Sequence, residues 1–294
     1  MPAAVYRPAM RVEIEPGLRL FVDFGGAGLV PDGATMRERP TVILLHGGPG
    51  SDHSMYKGED AMVLDDIAHV VFYDHRGNGR SDRGTAEQWT LDTWADDVVR
   101  LCDALEIQRP IVFGASFGGM VAQRYLARHP GHPSKVVLAC TGARFDLDAI
   151  SNRFAELGGD AAGSAARQFF GGDLSVMPAF VERCYPLYTT ASLDQDAFAR
   201  VVMNPELMPH FFTGEAATMD LRGGLAAVTC PVLVLGGELD PVMPPQIVRE
   251  LVDALPLDST RYEQVPGVSH LQVAGRSASE FVRAFIQETP EPAC

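Results

Sequence analysis

Short continuous apolar runs, separated by stretches with helical periodicity, organise most of this chain. Residues 10–14 and 18–24 are the exception: their side chains alternate between apolar and polar, and Pro16-Gly17 between them suits a turn, so they predict a hairpin. After a Gly/Pro-rich loop come four apolar runs at 41–45, 70–73, 111–113 and 136–139. Runs that are apolar throughout suit strands covered by helices on both faces, as in a parallel sheet. Leu91, Trp94, Ala95, Val98, Leu101, Cys102 and Leu105 recur at helical spacing, with Asp92, Asp96, Asp97 and Arg100 on the opposite face. A second helix is predicted over 117–128, stopping before His129-Pro130-Gly131.

The alternation of strand and helix breaks at about residue 143. From there to 224 the chain offers short amphipathic helical segments, such as Val176, Phe180, Val181, Cys184, Leu187 and Tyr188, which read as an inserted helical cap. The sheet pattern resumes with a strand at 232–235, a helix at 246–255, a strand at 260–265 and a last helix at 277–287. The expected class is α/β, a mostly parallel, doubly wound sheet. Its core comprises residues 1–142 and 225–294, the cap 143–224, and only the 289–294 tail looks dispensable.

Charge and cysteine content narrow the partners. With 38 acidic against 24 basic side chains the formal charge is −14, which repels a phosphate backbone and an anionic membrane surface. The start of the chain has no basic segment leading into an apolar one, and no run approaches the roughly 18 apolar residues of a membrane span. A soluble cytoplasmic protein that binds neither nucleic acid nor membrane is the expectation; its oligomeric state is left open. The five cysteines, Cys102, Cys140, Cys184, Cys230 and Cys294, are scattered, odd in number and without a C-x-x-C pair, which argues for reduced thiols and against a zinc site.

The chemistry centres on Gly114-Ala115-Ser116-Phe117-Gly118, a G-x-S-x-G motif between a predicted strand and a predicted helix. A serine on so sharp a turn exposes its oxygen, and the glycines let the backbone fold that tightly. A hydroxyl needs a base to take its proton, best a histidine oriented by a carboxylate. On a doubly wound sheet such groups gather past the carboxyl ends of strands. Asp240, in Gly236-Gly237-Glu238-Leu239-Asp240-Pro241, is the preferred acid, with Glu238 its competitor. His270, in the loop predicted before the last helix, is the base, ahead of His132 and His210. Attack by Ser116 on a carbonyl would create an oxyanion that calls for backbone N–H donors close by. Gly48, in the glycine-rich end of the run at 41–45, and Phe117 are the candidates, with Pro49 and Gly50 shaping the turn.

With these residues the chain resembles the α/β-hydrolases, and among them the proline iminopeptidase-like branch, over nearly its whole length. The motifs that carry the resemblance are His46-Gly47-Gly48-Pro49-Gly50, Asp74-His75-Arg76-Gly77-Asn78-Gly79-Arg80-Ser81, the turn at Ser116, and Asp240 and His270 in that order. The resemblance implies an α/β-hydrolase fold of about eight strands with the cap after the sixth, a Ser-Asp-His triad, no cofactor and no metal. It implies a structural role for Asp74 to Ser81, with Arg76 pairing locally. It also implies cleavage of a small ester or amide through an acyl-enzyme, first as removal of an N-terminal proline from a short peptide. The alternatives are a carboxylesterase or lactonase acting on an apolar acyl group, a C–C bond hydrolase, and a non-catalytic ligand-binding member of the fold. Epoxide hydrolases and haloalkane dehalogenases of this fold resemble the chain but place an aspartate where it has Ser116. Aminopeptidases of the branch hold the substrate amine with acidic cap residues, which makes Glu156, Glu182, Glu206 and Glu215 the candidates. They usually carry tryptophan where this chain has Phe117 and glutamine where it has His75. Phe154, Phe169, Phe170, Phe180, Tyr185, Tyr188, Phe211 and Phe212 are available to bury the cap or to line an acyl pocket.

Overall fold

Odd and even residues of the central apolar runs point to opposite faces of one sheet, and both faces are covered. The computed structural model describes residues 9–58, 61–192 and 195–288. The strands are β1 (Met10–Glu15), β2 (Leu18–Gly25), β3 (Leu29–Asp32), β4 (Thr35–Glu38), β5 (Thr41–Leu45), β6 (His69–Tyr73), β7 (Ile111–Ala115), β8 (Lys135–Ala139), β9 (Val232–Gly237) and β10 (Thr260–Val265). Eight of them form a sheet in the order β1-β2-β6-β5-β7-β8-β9-β10. β1 pairs antiparallel with β2, and β2 with β6, while every later pairing is parallel.

The helices are α1 (Leu91–Ala104), α2 (Phe117–Arg128), α3 (Leu147–Gly158), α4 (Asp160–Phe170), α5 (Met177–Arg183), α6 (Gln195–Arg200), α7 (Leu207–Thr213), α8 (Pro245–Ala254), α9 (His270–Val273) and α10 (Ser279–Gln287). On one face Ile43, Val71, Val112, Val136 and Val234 pack with residues of α1, α2 and α8. On the other, Leu44, Phe72, Phe113, Val137 and Leu235 pack with Val282, Phe285 and Ile286 of α10. Burial on both sides explains why these strands are apolar at every position rather than at every second one. Helices α3 to α7 fall between β8, the sixth strand of the sheet in chain order, and β9.

Several local expectations change. The Gly/Pro-rich loop after β2 contains the hairpin β3–β4, which pairs only with itself. Its strands are four residues long and largely exposed, so burial imposes no apolar pattern on them. Asp97 does not lie on the solvent face of α1; it is buried with 1% exposure. Arg76, equally buried, reaches Asp97 with two hydrogen bonds of 2.9 and 2.8 Å and pairs with Glu15 of β1 at 2.8 Å, so its partners lie on other elements rather than in its own turn. Finally, His270 begins the short helix α9 instead of sitting in a loop, and α10 starts two residues later than expected. The four described cysteines are buried and free; Cys294 and the 289–294 tail lie outside the described residues, as do residues 1–8.

Removing one partner of a buried ion pair leaves a charge without compensation, at a cost of roughly 3 kcal/mol or more, whereas an exposed pair contributes about 1 kcal/mol or less. Asp97→Ala is therefore expected to lower the free energy of urea unfolding by about 3 kcal/mol. Asp96→Ala, which removes the carboxylate shared by the partly exposed Arg128 and His129 and leaves Arg128 paired with Asp92, is expected to change it by less than about 1 kcal/mol.

Candidate active site

Loops past the carboxyl ends of β5, β7, β9 and β10 converge, as parallel α/β sheets require of their sites. Ser116 caps α2 immediately after β7 with φ 54° and ψ −118°, a left-handed backbone that a residue with a side chain adopts at a cost of about 1–3 kcal/mol. Its surroundings compensate. The Ser116 N–H donates to Ala139 O at 2.9 Å, and Ser116 O accepts from the amide of Gly119 and the hydroxyl of Thr141. A side chain at position 118 would begin 2.1 Å from Leu45 O, which explains why the helix can approach the end of β5 only with glycine there.

His270 Nε2 lies 3.0 Å from Ser116 Oγ, and His270 Nδ1 lies 2.8 and 3.0 Å from the two oxygens of Asp240. Asp240 has no exposed surface, and its Oδ1 also accepts from the amides of Val242 and Met243 at 2.8 Å. Those donors hold the carboxylate in place against His270. Ser269 and Gln272 form a capping box at the start of α9, and the Ser269 hydroxyl donates to Leu187 O, tying the histidine to the helical segment. The edge of Tyr188 packs on the His270 ring. Glu238, the competing acid, faces away and accepts from the amide of Gly267 at 2.8 Å. His132 sits against Tyr125 and His210 against Trp89, apart from this group.

The turn after β5 closes the other side. The Gly48 N–H takes no partner among the described residues, and Phe117 is the first residue of α2, where a helix leaves its N–H groups free. Gly48 has φ +134°, outside the range of other residues. His46 Nδ1 donates to Gly47 O at 2.6 Å and His46 Nε2 accepts from the His75 amide at 3.1 Å, which requires the neutral Nδ1–H tautomer. The Gly47 amide donates to Tyr56 Oη at 3.0 Å. Gly50 O accepts from the Asn204 amide, and Asp52 from the Val202 amide, so the segment following α6 is bound to this turn.

Ser116, Gly48, Phe117 and His270 open into a cavity of about 600 Å³. Phe145, Phe169, Phe170, Phe180, Phe211 and Phe212 supply much of its wall, joined by Tyr185, Tyr188 and several methionines. Phe154 instead packs behind Phe170 and Phe180. None of the four candidate glutamates lines it. Glu156 pairs with Arg153, Glu215 accepts from the Leu91 amide, and Glu182 and Glu206 are exposed. Among the described lining residues the one carboxylate is Asp52, itself buried and held by Arg80, Ser54 and the Val202 amide. Sequence reasoning passed over Asp52, Tyr56 and His46 as chemical groups. Tyr56 and Asp52 belong to the polar stretch after Gly50, where no period distinguishes a lining side chain from a solvated one.

His75, buried between His46, Tyr73 and Phe117, makes no ring hydrogen bond among the described residues. Burial pushes His75 well below the ordinary histidine range, and His46 adds to the effect; burial also lowers His46, against the opposing pull of Asp74. Groups lowered on folding stabilise the fold above the unfolded pKa of about 6.5, and that stabilisation is lost as pH falls below it, because the unfolded chain then binds more protons. Melting temperature is thus expected to fall from pH 7.5 to pH 5.5. His75→Gln is expected to flatten that slope, since each such ring contributes up to about 1.4 kcal/mol per pH unit. An unchanged slope would contradict the neutral assignment.

Comparison with known proteins comes down on one fold. The family model described as the alpha/beta hydrolase fold matches residues 40–274. A proline iminopeptidase of Pestalotiopsis fici is 26% identical over 252 residues, spanning 80% of this chain and 88% of the relative. Among solved structures, a proline iminopeptidase of Mycobacterium smegmatis superposes with TM-score 0.75 at 24% identity, covering 95% of this chain and 97% of that one. The enol-lactonase of Burkholderia xenovorans does so with TM-score 0.67 at 24% identity, covering 95% and 97%.

Proposed function

This chain belongs to the alpha/beta hydrolase fold family and resembles its proline iminopeptidases; from that premise we propose that it is a serine hydrolase of neutral esters or lactones with an apolar acyl group. Ser116 attacks the carbonyl carbon while His270 Nε2 takes the hydroxyl proton, and Asp240 orients the ring and stabilises the imidazolium. The amides of Gly48 and Phe117 hold the oxyanion. His270 then protonates the leaving oxygen, the acyl-enzyme forms, and a water deprotonated by His270 releases the acid. No cofactor enters this scheme.

The observation that carries the reading is the hydrogen-bonded series Ser116–His270–Asp240 opening into an aromatic cavity. A cavity of this size accommodates a ligand of several rings or a medium acyl chain. Helices α3 to α7 act in this scheme as the cap that supplies the acyl wall. Removal of an N-terminal proline, supported by the name of the Pestalotiopsis fici relative, is the second reading. It calls for a carboxylate free to meet the substrate ammonium, and Asp52 is already engaged by Arg80. Glu59 and Asp60, beside the lining residues Gly58 and Ala61, lie outside the described residues.

Paired rates on nitrophenyl esters of increasing chain length and on proline anilide test both readings. Turnover is expected for the esters, rising with chain length and falling by about 10⁴-fold or more in Ser116→Ala. Anilide turnover exceeding that of every ester would overturn the ester reading in favour of the aminopeptidase. An ester rate untouched by Ser116→Ala would remove the proposed nucleophile.

A further inference from the structure

We propose that the hydroxyl of Tyr56 is a third donor to the oxyanion formed when Ser116 attacks, alongside the amides of Gly48 and Phe117. The inference rests on the serine-hydrolase reading of this site. Tyr56 lies in the short 3₁₀ turn His53–Lys57, nine residues past Gly47, and lines the cavity together with Ser116, Gly48 and Phe117. Its oxygen already accepts the Gly47 N–H at 3.0 Å, so a lone pair is occupied and the hydroxyl proton must point elsewhere. Among the described residues no acceptor takes that proton.

The position of the oxygen is fixed by Gly47. The point where a Cβ of residue 47 would stand is 3.3 Å from Tyr56 Oη and 3.4 Å from Ser116 Cβ. The phenol oxygen and the β-carbon of Ser116 therefore border the same space, which a glycine at position 47 leaves open. Burial pushes the phenol above its ordinary range, so it stays protonated and able to donate. A tetrahedral oxyanion carries three lone pairs, and two amides leave one to be met. The hydroxyl holds that charge by a hydrogen bond alone; no proton leaves Tyr56, and the turnover proton remains with His270.

Donation to the oxyanion differs from merely bracing Gly47 in what it binds. Tyr56→Phe removes the oxygen and keeps the ring, and is expected to lower kcat on the neutral esters by roughly 10²-fold with KM changed by less than about threefold. A trifluoromethyl ketone, which adds to a serine as an oxyanion, is expected to bind Tyr56→Phe more weakly by a similar factor, while its carbinol binds both forms alike. Activity within about threefold of native would overturn the proposal, as would equal weakening of ketone and carbinol. If Tyr56→Phe does not fold, difluorotyrosine at position 56 carries the test. Its more acidic phenol is expected to bring a loss of kcat at alkaline pH that the native enzyme lacks, and an unchanged pH profile would overturn the proposal. Ester turnover that persists in Ser116→Ala would instead remove the underlying reading, and the oxyanion proposal with it.

Discussion

Ser116 is held in a left-handed backbone conformation, and the architecture around it is arranged to keep it there. The turn between β7 and α2 must reverse direction within one residue, and it does so because α2 packs against the ends of β5 and β8 without side chains in the way. Gly118 meets Leu45 O, and Gly119 meets Thr141. Parallel strands buried on both faces give those ends a fixed position, so the conformational strain is balanced by packing spread over the whole sheet. Ser116 Oγ thereby stands clear of the helix, where a histidine from another strand end can reach it.

Electrostatics then divide the site into two regions. Around Asp240 and His46, charges and lone pairs meet fixed donors: the amides of Val242 and Met243 for the carboxylate, the His75 amide for the imidazole. Beyond Ser116 the cavity is aromatic, and its one described carboxylate is neutralised by Arg80. A preorganised polar edge against an apolar chamber favours charge that develops at the carbonyl over charge brought in by the substrate. That asymmetry is what the proposed neutral acyl substrate rests on. The same turn that carries Gly48 is bound to the Val202–Asn204 segment, so hydrogen bonds join the turn after β5 to the wall of the chamber.

The central strands were legible in the sequence because burial on both faces forces an unbroken apolar run. Ser116 was legible because it directly follows such a run and Asp240 because it lies three residues past one; His270 lies five residues past the more polar β10, so strand ends and chain order nominate the three together. Elements governed by solvent or by a single distant partner were not. The β3–β4 hairpin is exposed and needs no pattern. Asp96 and Asp97 are neighbours of the same type, yet one faces Arg128 at the surface and the other meets Arg76 beneath α1, a difference set by a residue twenty-one positions away. The acidic candidates between residues 143 and 224 do not line the cavity, for a related reason: helical position says which face a glutamate lies on, but which face lines a cavity depends on how five short helices pack. Tyr56 left no mark on the sequence pattern, since what sets it apart is the Gly47 amide from which it accepts, nine residues earlier.

The proposed chemistry depends on His270 taking the proton of Ser116. Treating the native protein and His270→Ala with a fluorophosphonate, then mapping the adduct by mass spectrometry, addresses it without any choice of substrate. A single adduct on Ser116 is expected in the native protein, with at least about a hundredfold slower labelling in His270→Ala. Equal labelling of both forms, or an adduct on another residue, would contradict it.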